Sequence, residues 1–355
     1  MTFTVVSTFS GCGGSSLGYK MAGGKVLLAV EWDDNAVQTY KANFPTTDVY
    51  HGDIGKLSVD DVLKRTGLKP GELDIFDGSP PCQGFSTAGK RSFTDNRNQL
   101  FHEYVRLLKG LRPRTFVMEN VSGMVKGKMK IMFAEILREL RAAGYKVSAR
   151  LLNAMNYGVP QSRQRMIFVG VREDLGIEPS HPVGSSKTIS FREAVKGLPL
   201  NTQNTTIQHV WVDEIQRQTK WIGRASRLRP GDKLVPGVAS SSRIWWDKPC
   251  PTIMKNAMPG QAPYVRNSHI HPSEPRALSI REMARCGSFP DDFLFIDALN
   301  NGMQRIGNSV PPKLMEAVAR HINENILKKA TCPKDLKQIE SLKKNTFPNT
   351  SSAAA

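Results

Sequence analysis

Residues 78–86 read GSPPCQGFS, a run in which one cysteine, Cys82, sits among glycine, serine, proline and glutamine. A cysteine used for packing has apolar neighbours, and Cys82 lacks them. Pro80 and Pro81 fix their own φ and restrict the residue before each, which stiffens the loop. The run Leu73-Asp74-Ile75-Phe76-Asp77 just before it reads as a short buried strand. Cys82 therefore falls past the carboxyl end of a strand, where open α/β sheets bind ligands. A thiol presented there on a stiff loop suits a nucleophile.

A second chemical stretch is STFSGCGGSSLG, with Gly11, Gly13 and Gly14 around Cys12. Glycines between a strand and a helix let the backbone turn tightly and approach a ligand. The dinucleotide fingerprint would require glycine where Ser16 stands, which argues against a pyrophosphate cradle. Glu31 ends the next strand, at a spacing where a carboxylate can take ribose hydroxyls. Asp53, in HGDIG, can accept from an adenine amino group, and Phe9 and Trp32 can flank the ring. A tight turn without a ligand fits the glycines equally well. Glu31 and Asp53 at the next two strand ends favour a nucleoside cofactor.

The elements that must position these groups alternate up to about residue 180. Strand-like FTVVSTF (3–9), KVLLAVEW (25–32), ELDIFDGS, RTFVMEN (114–120), YKVSARLLN and RMIFVGV are interleaved with helical patterns. The helical patterns are 15–23, 35–44, 98–111 and 131–144. This alternation predicts an α/β fold, a doubly wound, mostly parallel Rossmann-like sheet. Residues 184–270 differ: they are rich in Ser, Thr, Gln, Pro and Gly, carry 13 basic against 5 acidic residues, and hold four of the five tryptophans. They predict a second, smaller, irregular domain whose tryptophans form its core. LSIREMARCGSF and 311–329 read as helices returning to the first domain. The predicted organisation is a first unit at 1–183 that carries the thiol and the glycine loop, a second, basic unit at 184–275, a return at 276–329 and a disordered tail at 330–355.

Lys and Arg outnumber Asp and Glu by 49 to 32, a net charge of +17 over 355 residues. Such an excess points to a polyanionic partner, most simply nucleic acid. The five cysteines (12, 82, 250, 286, 332) are widely spaced. No CxxC pair or His/Cys cluster gives tetrahedral spacing, so no metal is expected, and reduced thiols in a cytosolic-type compartment are. No secretory signal is recognised at the start, and no apolar stretch approaches the ~20 residues of a membrane span. His209, His269 and His271 are read as carrying no catalysis, with His271 a loop fixture before Pro272.

The chain resembles the C5-cytosine DNA methyltransferase family over residues 4–328. The resemblance rests on FSGCGG, EW at 31–32, GDI at 52–54, GSPPCQGFS, ENV at 119–121, QSRQR at 161–165, RALSIREMARCGSFPDDF and RIGNSVPP at 305–312, in family order. One departure is Cys286-Gly287, where the family pattern leads one to expect Leu-Gln in a structural helix. The resemblance implies S-adenosylmethionine as methyl donor and S-adenosylhomocysteine as product. It puts Phe9, Glu31, Trp32, Asp53, Ile54, Leu100, Asn308 and Val310 at the cofactor, with Gly11, Cys12, Gly13, Gly14 and Pro80 beside them. Ser86, Asn120 and Gln161 are expected at the substrate, Asn120 by fixing the loop.

The chemistry follows from cytosine. C5 is a poor nucleophile, and a thiolate added to C6 turns it into an enamine carbon that can attack a sulfonium methyl; this role falls to Cys82. Glu119 is placed to give a proton to N3, for which it must be protonated in the complex. Arg163 and Arg165 supply fixed cationic donors, one at cytosine O2 and one at a phosphate or the loop. No residue stands out as the base that removes the C5 proton, and water can serve. The target nucleotide must leave the duplex. The expectation is thus a sequence-specific DNA cytosine-5 methyltransferase of restriction-modification type, acting as a monomer on double-stranded DNA in the cytoplasm, at the nucleoid in a prokaryote. The alternatives are an RNA (tRNA) cytosine-5 methyltransferase and a catalytically silent nucleic-acid-binding regulator on the same fold.

Overall fold

Seven runs rich in β-branched and apolar residues form one sheet in the order β3-β2-β1-β4-β5-β8-β6. The computed structural model describes residues 2–81, 96–125, 129–198, 223, 225–233, 242–255, 269–297 and 301–330. Strands β1 (Thr4–Thr8), β2 (Lys25–Glu31), β3 (Asp48–His51), β4 (Ile75–Gly78) and β5 (Thr115–Val121) are mutually parallel. Strand β8 (Gln164–Arg172) runs antiparallel to both its neighbours, β5 and β6 (Tyr145–Asn153). The doubly wound, mostly parallel architecture is as expected. The antiparallel β8 is new: it returns beside β6 in a hairpin rather than through a crossover helix, so its direction reverses.

Helices cover both faces. Under one lie Val6, Phe76, Phe116 and Met118, packed against α4 (Asn96–Leu111) and α5 (Met129–Ala142). Under the other lie Val5, Ile75 and Val117, packed against Tyr19 of α1 (Gly14–Met21) and Leu314, Met315 and Val318 of the late helix Pro312–Ile322. A Cβ at Gly18 of α1 would lie 2.5 Å from Pro312 O, so glycine lets that late helix seat directly on α1. Burying such side chains is worth ~1.5–3 kcal/mol each.

Two further elements follow β2 and β3, namely α2 (Asp34–Asn43) and α3 (Val59–Thr66). The sequence reading missed α3, although Ser58 and Asp61 form a capping box at its start. In 184–270 the described residues form the turn of helix α6 (Phe191–Ala194) and a short strand β9 (Cys250–Pro251), which pairs with β7 (Gln161–Ser162). The return is α7 (Ile280–Cys286), α8 (Met303–Asn308) and the late helix, α9. Helix α8 was also not anticipated. Phe191, Ile244, Cys250, Ile253, Met283 and Phe293 build a third cluster with Tyr40 and Phe44 of the first unit.

Of the tryptophans expected in the core of the second unit, two are described and one of them departs from it. Trp246 packs partly buried against this cluster, but Trp245 is 42 % exposed and carries Lys248 Nζ 4.4 Å above its ring. Trp211 and Trp221 lie outside the described residues, as does the tail beyond residue 330. Cys12, Cys250 and Cys286 are free and buried.

Candidate active site

Strands β4 and β5 are parallel neighbours, with Gly78 opposite Met118. The loop leaving β4 therefore emerges beside Glu119 and Asn120. Asn120 Nδ2 donates to Pro80 O at 3.1 Å, while its Oδ1 accepts the Val121 N–H at 2.9 Å. Buried Asn120 thus ties the first turn of that loop to β5. Cys82 and Ser86, expected as nucleophile and substrate contact, lie outside the described residues.

Glu119 and Arg165 meet across the antiparallel pair. Register places Val121 opposite Arg165 and Glu119 opposite Ile167, so Glu119 and Arg165 are diagonal neighbours on one face. Arg165 Nε lies 2.6 Å from Glu119 Oε1, with side chains 14 % and 11 % exposed. Arg165 Nη1 also donates to Gln164 O. This is a largely desolvated ion pair at the edge of the sheet's carboxyl side.

Two other expected residues are placed differently. The Arg163 guanidinium is buried and donates to Ile253 O at 2.9 Å and Gly307 O at 2.7 Å. Burial lowers its pKa to about 9, with the Arg165 charge adding to the fall and Glu119 opposing it. Gln161, also buried, donates through Nε2 to Cys286 O and accepts the Ile253 N–H. Both side chains cross-tie the sheet to the 250–310 region. Their contacts are backbone groups of the protein itself.

The carboxyl ends of β1, β2 and β3 carry the other expected residues. The loop between β1 and α1 has positive φ at Phe9 (53°), Gly11 (54°) and Gly13 (99°). Nothing lies within 4 Å of a Cβ built on Gly11, whereas one on Gly14 would meet Val310 O at 2.5 Å. The loop is open on one side and pressed against Val310 on the other. Glu31 Oε2 accepts the Gly11 N–H at 2.8 Å, and Oε1 accepts those of Trp32 and Asp33. A carboxylate offers about four acceptor sites, and among the described residues three are taken. Asp53 Oδ1 accepts the Gly55 N–H, and Ile54 beside it is buried. Trp32 is 78 % exposed, Asn308 is exposed, and Phe9 and Leu100 are half-buried against the core.

An open glycine loop, a carboxylate at the end of β2 and an exposed indole fit a nucleoside with hydroxyls and a flat base. Cys12 does not face this opening: it is buried with Sγ 3.1 Å from Ser309 Oγ, and burial pushes its thiol up to about 11. Two residues missed in the sequence matter here. Arg305, inside RIGNSVPP, reaches Asp33 Oδ1 at 2.7 Å and Asn35 Oδ1 at 2.8 Å, joining the end of β2 to α8. Asp77, read only as a strand residue, is a buried carboxyl on β4. Among the described residues no group of three or more His, Cys, Asp or Glu could hold a metal ion, and no helix is long and apolar enough to cross a membrane.

A mostly parallel sheet with an open glycine loop at its switch point and a paired acidic residue at the carboxyl end of the adjoining strand is a Rossmann-like arrangement of the kind that binds ligands there. The family model for C-5 cytosine-specific DNA methylases matches residues 3–324, and the chain belongs to that family. It is 36 % identical over 340 residues to the Type II methyltransferase M1.HphI of Haemophilus parahaemolyticus, covering 91 % of this chain and 87 % of that one. It is 32 % identical to M.NgoPII of Neisseria gonorrhoeae over 350 residues, covering 91 % and 96 %. A prophage-encoded E. coli protein assigned as a DNA modification methyltransferase superposes with a TM-score of 0.73 at 26 % identity, covering 92 % of this chain and all of that one. The Spodoptera frugiperda DNMT2 structure shares the fold, with a TM-score of 0.64 at 19 % identity over 89 % of this chain and 98 % of that one. The protein is a DNA cytosine-5 methyltransferase, and its family uses S-adenosylmethionine.

Proposed function

We propose that the chain methylates C5 of one flipped-out cytosine in a defined duplex sequence through a covalent Cys82–C6 adduct. The observation that carries this reading is the Glu119–Arg165 pair between β5 and β8, with Glu119 on the strand next to β4, where Asn120 holds Pro80. Gly11, Glu31, Trp32, Asp53, Ile54, Leu100, Asn308 and Val310 would hold S-adenosylmethionine. When bound it supplies an electrophilic methyl group on a sulfonium.

The Cys82 thiolate adds to C6, and the electron pair of the 5,6 double bond is released towards C5. Glu119 gives its proton to N3 as charge builds there. Arg165 holds the Glu119 carboxyl in place and keeps it from rotating away. Once C5 is methylated, its proton leaves to a base, the C–H pair re-forms the double bond, and Cys82 departs as thiolate. Glu119 then recovers the N3 proton. Arg163 and Gln161 act as positioning residues by fixing Ile253 and the Gly307 turn. Extrusion of the base costs a few kcal/mol, which phosphate contacts from the basic residues of 184–275 offset while that segment reads the target. The protein works as a monomer on DNA in the cytoplasm.

The test uses duplex DNA with 5-fluorocytosine at the target, because fluorine cannot leave as a proton. The wild type forms a complex that survives denaturing electrophoresis, and Cys82→Ala forms none. Trapping by the variant would remove Cys82 from its role. Labelled methyl transfer to tRNA but not to duplex DNA would overturn the substrate.

A further inference from the structure

Arg305 stands on α8 with its side chain buried. Its Nη2 lies 2.7 Å from Asp33 Oδ1, and its Nε donates to Asn35 Oδ1 at 2.8 Å. Its backbone carbonyl accepts Ser309 Oγ at 2.7 Å and lies 3.7 Å from Cys12 Sγ. A single residue thus touches the glycine loop after β1, the turn after β2 and the turn after α8. These three stretches carry Gly11, Trp32 and Asn308, which the proposed function puts at the cofactor.

Two of the three are fastened to one another without it. Glu31 Oε2 accepts the Gly11 N–H, and Oε1 accepts those of Trp32 and Asp33, so one carboxylate holds the glycine loop to the turn after β2. A Cβ on Gly14 would lie 2.5 Å from Val310 O, so the stretch after α8 packs directly on the start of α1. Asp33 Oδ1 also accepts the Ala36 N–H at 2.8 Å and caps α2, so the atom that Arg305 grips is itself fixed. The guanidinium bridges from that fixed point to the helix that ends in Asn308. Asn35 strengthens the bridge. It turns its Nδ2 to Ile296 O at 2.9 Å, and further along α2 Asn43 exchanges two hydrogen bonds with the Leu294 backbone.

Stability alone is a weak reason for a charge here. A buried ion pair roughly breaks even against apolar packing of the same volume, whereas the guanidinium fork fixes direction as well as distance. Burial opposes the Asp33 charge, but the Ala36 N–H and Arg305 outweigh it and hold its carboxyl below its ordinary value, so the pair is ionised at neutral pH. We propose that Arg305 is a positioning residue for the cofactor, setting the separation between the turn that carries Trp32 and the turn that carries Asn308. The inference rests on the reading of those two turns as holding S-adenosylmethionine. With the two sides already set, binding does not have to draw them together. Without the bridge, affinity falls although the fold persists.

The experiment is isothermal titration of the full chain with S-adenosylmethionine and with S-adenosylhomocysteine, beside steady-state methylation of duplex DNA. Arg305→Met keeps an apolar stem and loses the fork, and its Kd for both is expected to rise about tenfold. KM for S-adenosylmethionine rises in step, while kcat at saturating cofactor falls by a smaller factor. Arg305→Lys still reaches Asp33 and recovers part of the affinity. Asp33→Asn keeps the cap and removes the charge, so it weakens binding too. The double variant Asp33→Asn/Arg305→Met binds no more weakly than Arg305→Met alone. Thermal unfolding shows which variants fold, and Asp33→Asn carries the test if Arg305→Met does not. A wild-type Kd in either of these variants when folded overturns the proposal. So does a kcat that falls with KM unmoved, the mark of a purely structural tie. Trp32→Ala with wild-type affinity would instead overturn the reading of the cofactor site beneath it.

Discussion

Arg165 Nε stands 2.6 Å from Glu119 Oε1 because Arg165 lies opposite Val121 in the β5–β8 pair, one step diagonal from Glu119. The antiparallel direction of β8 makes this meeting possible. In a parallel β8, residue 165 would begin the strand at the far end of the sheet from Glu119.

The first prediction concerns that acid. Glu119→Gln preserves size and can still reach Arg165 through its amide oxygen, but it has no proton to transfer. Single-turnover methylation should fall by ~10²–10⁴-fold, while filter-binding affinity for duplex DNA holds. A loss of less than about tenfold would place the proton source elsewhere.

Arg163 is expected to act through stability. Arg163→Ala strands the carbonyls of Ile253 and Gly307, which the guanidinium now satisfies. Each buried unsatisfied group costs about 1–3 kcal/mol, so urea denaturation should show a loss of roughly 3 kcal/mol. Arg163→Lys reaches one carbonyl and should recover about half of it. A fully stable alanine variant with slow methylation would show that Arg163 reaches the substrate after all.

The glycine loop makes a steric prediction. Gly13 has φ 99°, and a Cβ there would lie 2.4 Å from Phe44 Cε2. Gly13→Ala combines left-handed strain with displacement of that ring, at about 1–3 kcal/mol. Thermal unfolding should report the loss, and isothermal titration should show weaker S-adenosylmethionine binding. Unchanged values in both would mean that the loop relaxes freely.

His181 gives the molecule an acid-sensitive point. It is 5 % exposed, and burial, joined by the nearby Arg150 and His321, lowers its pKa to about 4. In the unfolded chain it titrates near 6.5. Its folded pKa is depressed, so the stability it contributes is present above 6.5 and is lost as pH falls towards 4. His181→Phe cannot titrate, so wild-type stability relative to it should drop by up to about 3 kcal/mol over that window. Urea midpoints at pH 4.5, 5.5 and 7 test this, and parallel curves would refute it.

The alternating pattern, the open loop after β1, the end of β4 before the cysteine-bearing stretch, and Glu31 at the end of β2 were all legible in the sequence. They are local: a turn needs glycine within a few residues, and a strand end needs an apolar run that stops. Arg163, Gln161 and Cys12 show the limit. An arginine in QSRQR reads the same whether it faces a cavity or the carbonyls of Ile253 and Gly307, which lie 90 and 144 positions away. Helix α3 carried a readable capping signal in Ser58 and Asp61, but it is short and its apolar face is narrow.

Composition, block order and hydrophobic period determined the class of fold, the family and the ends of the strands, because these depend on residues near one another in the chain. Strand direction at β8, the pairing of Glu119 with Arg165, and the sharing of one sheet face by Asp77 and Glu119 were decided only in three dimensions. Each joins side chains 40 or more positions apart, and it is packing of the whole sheet between its two helical layers that brings them within reach.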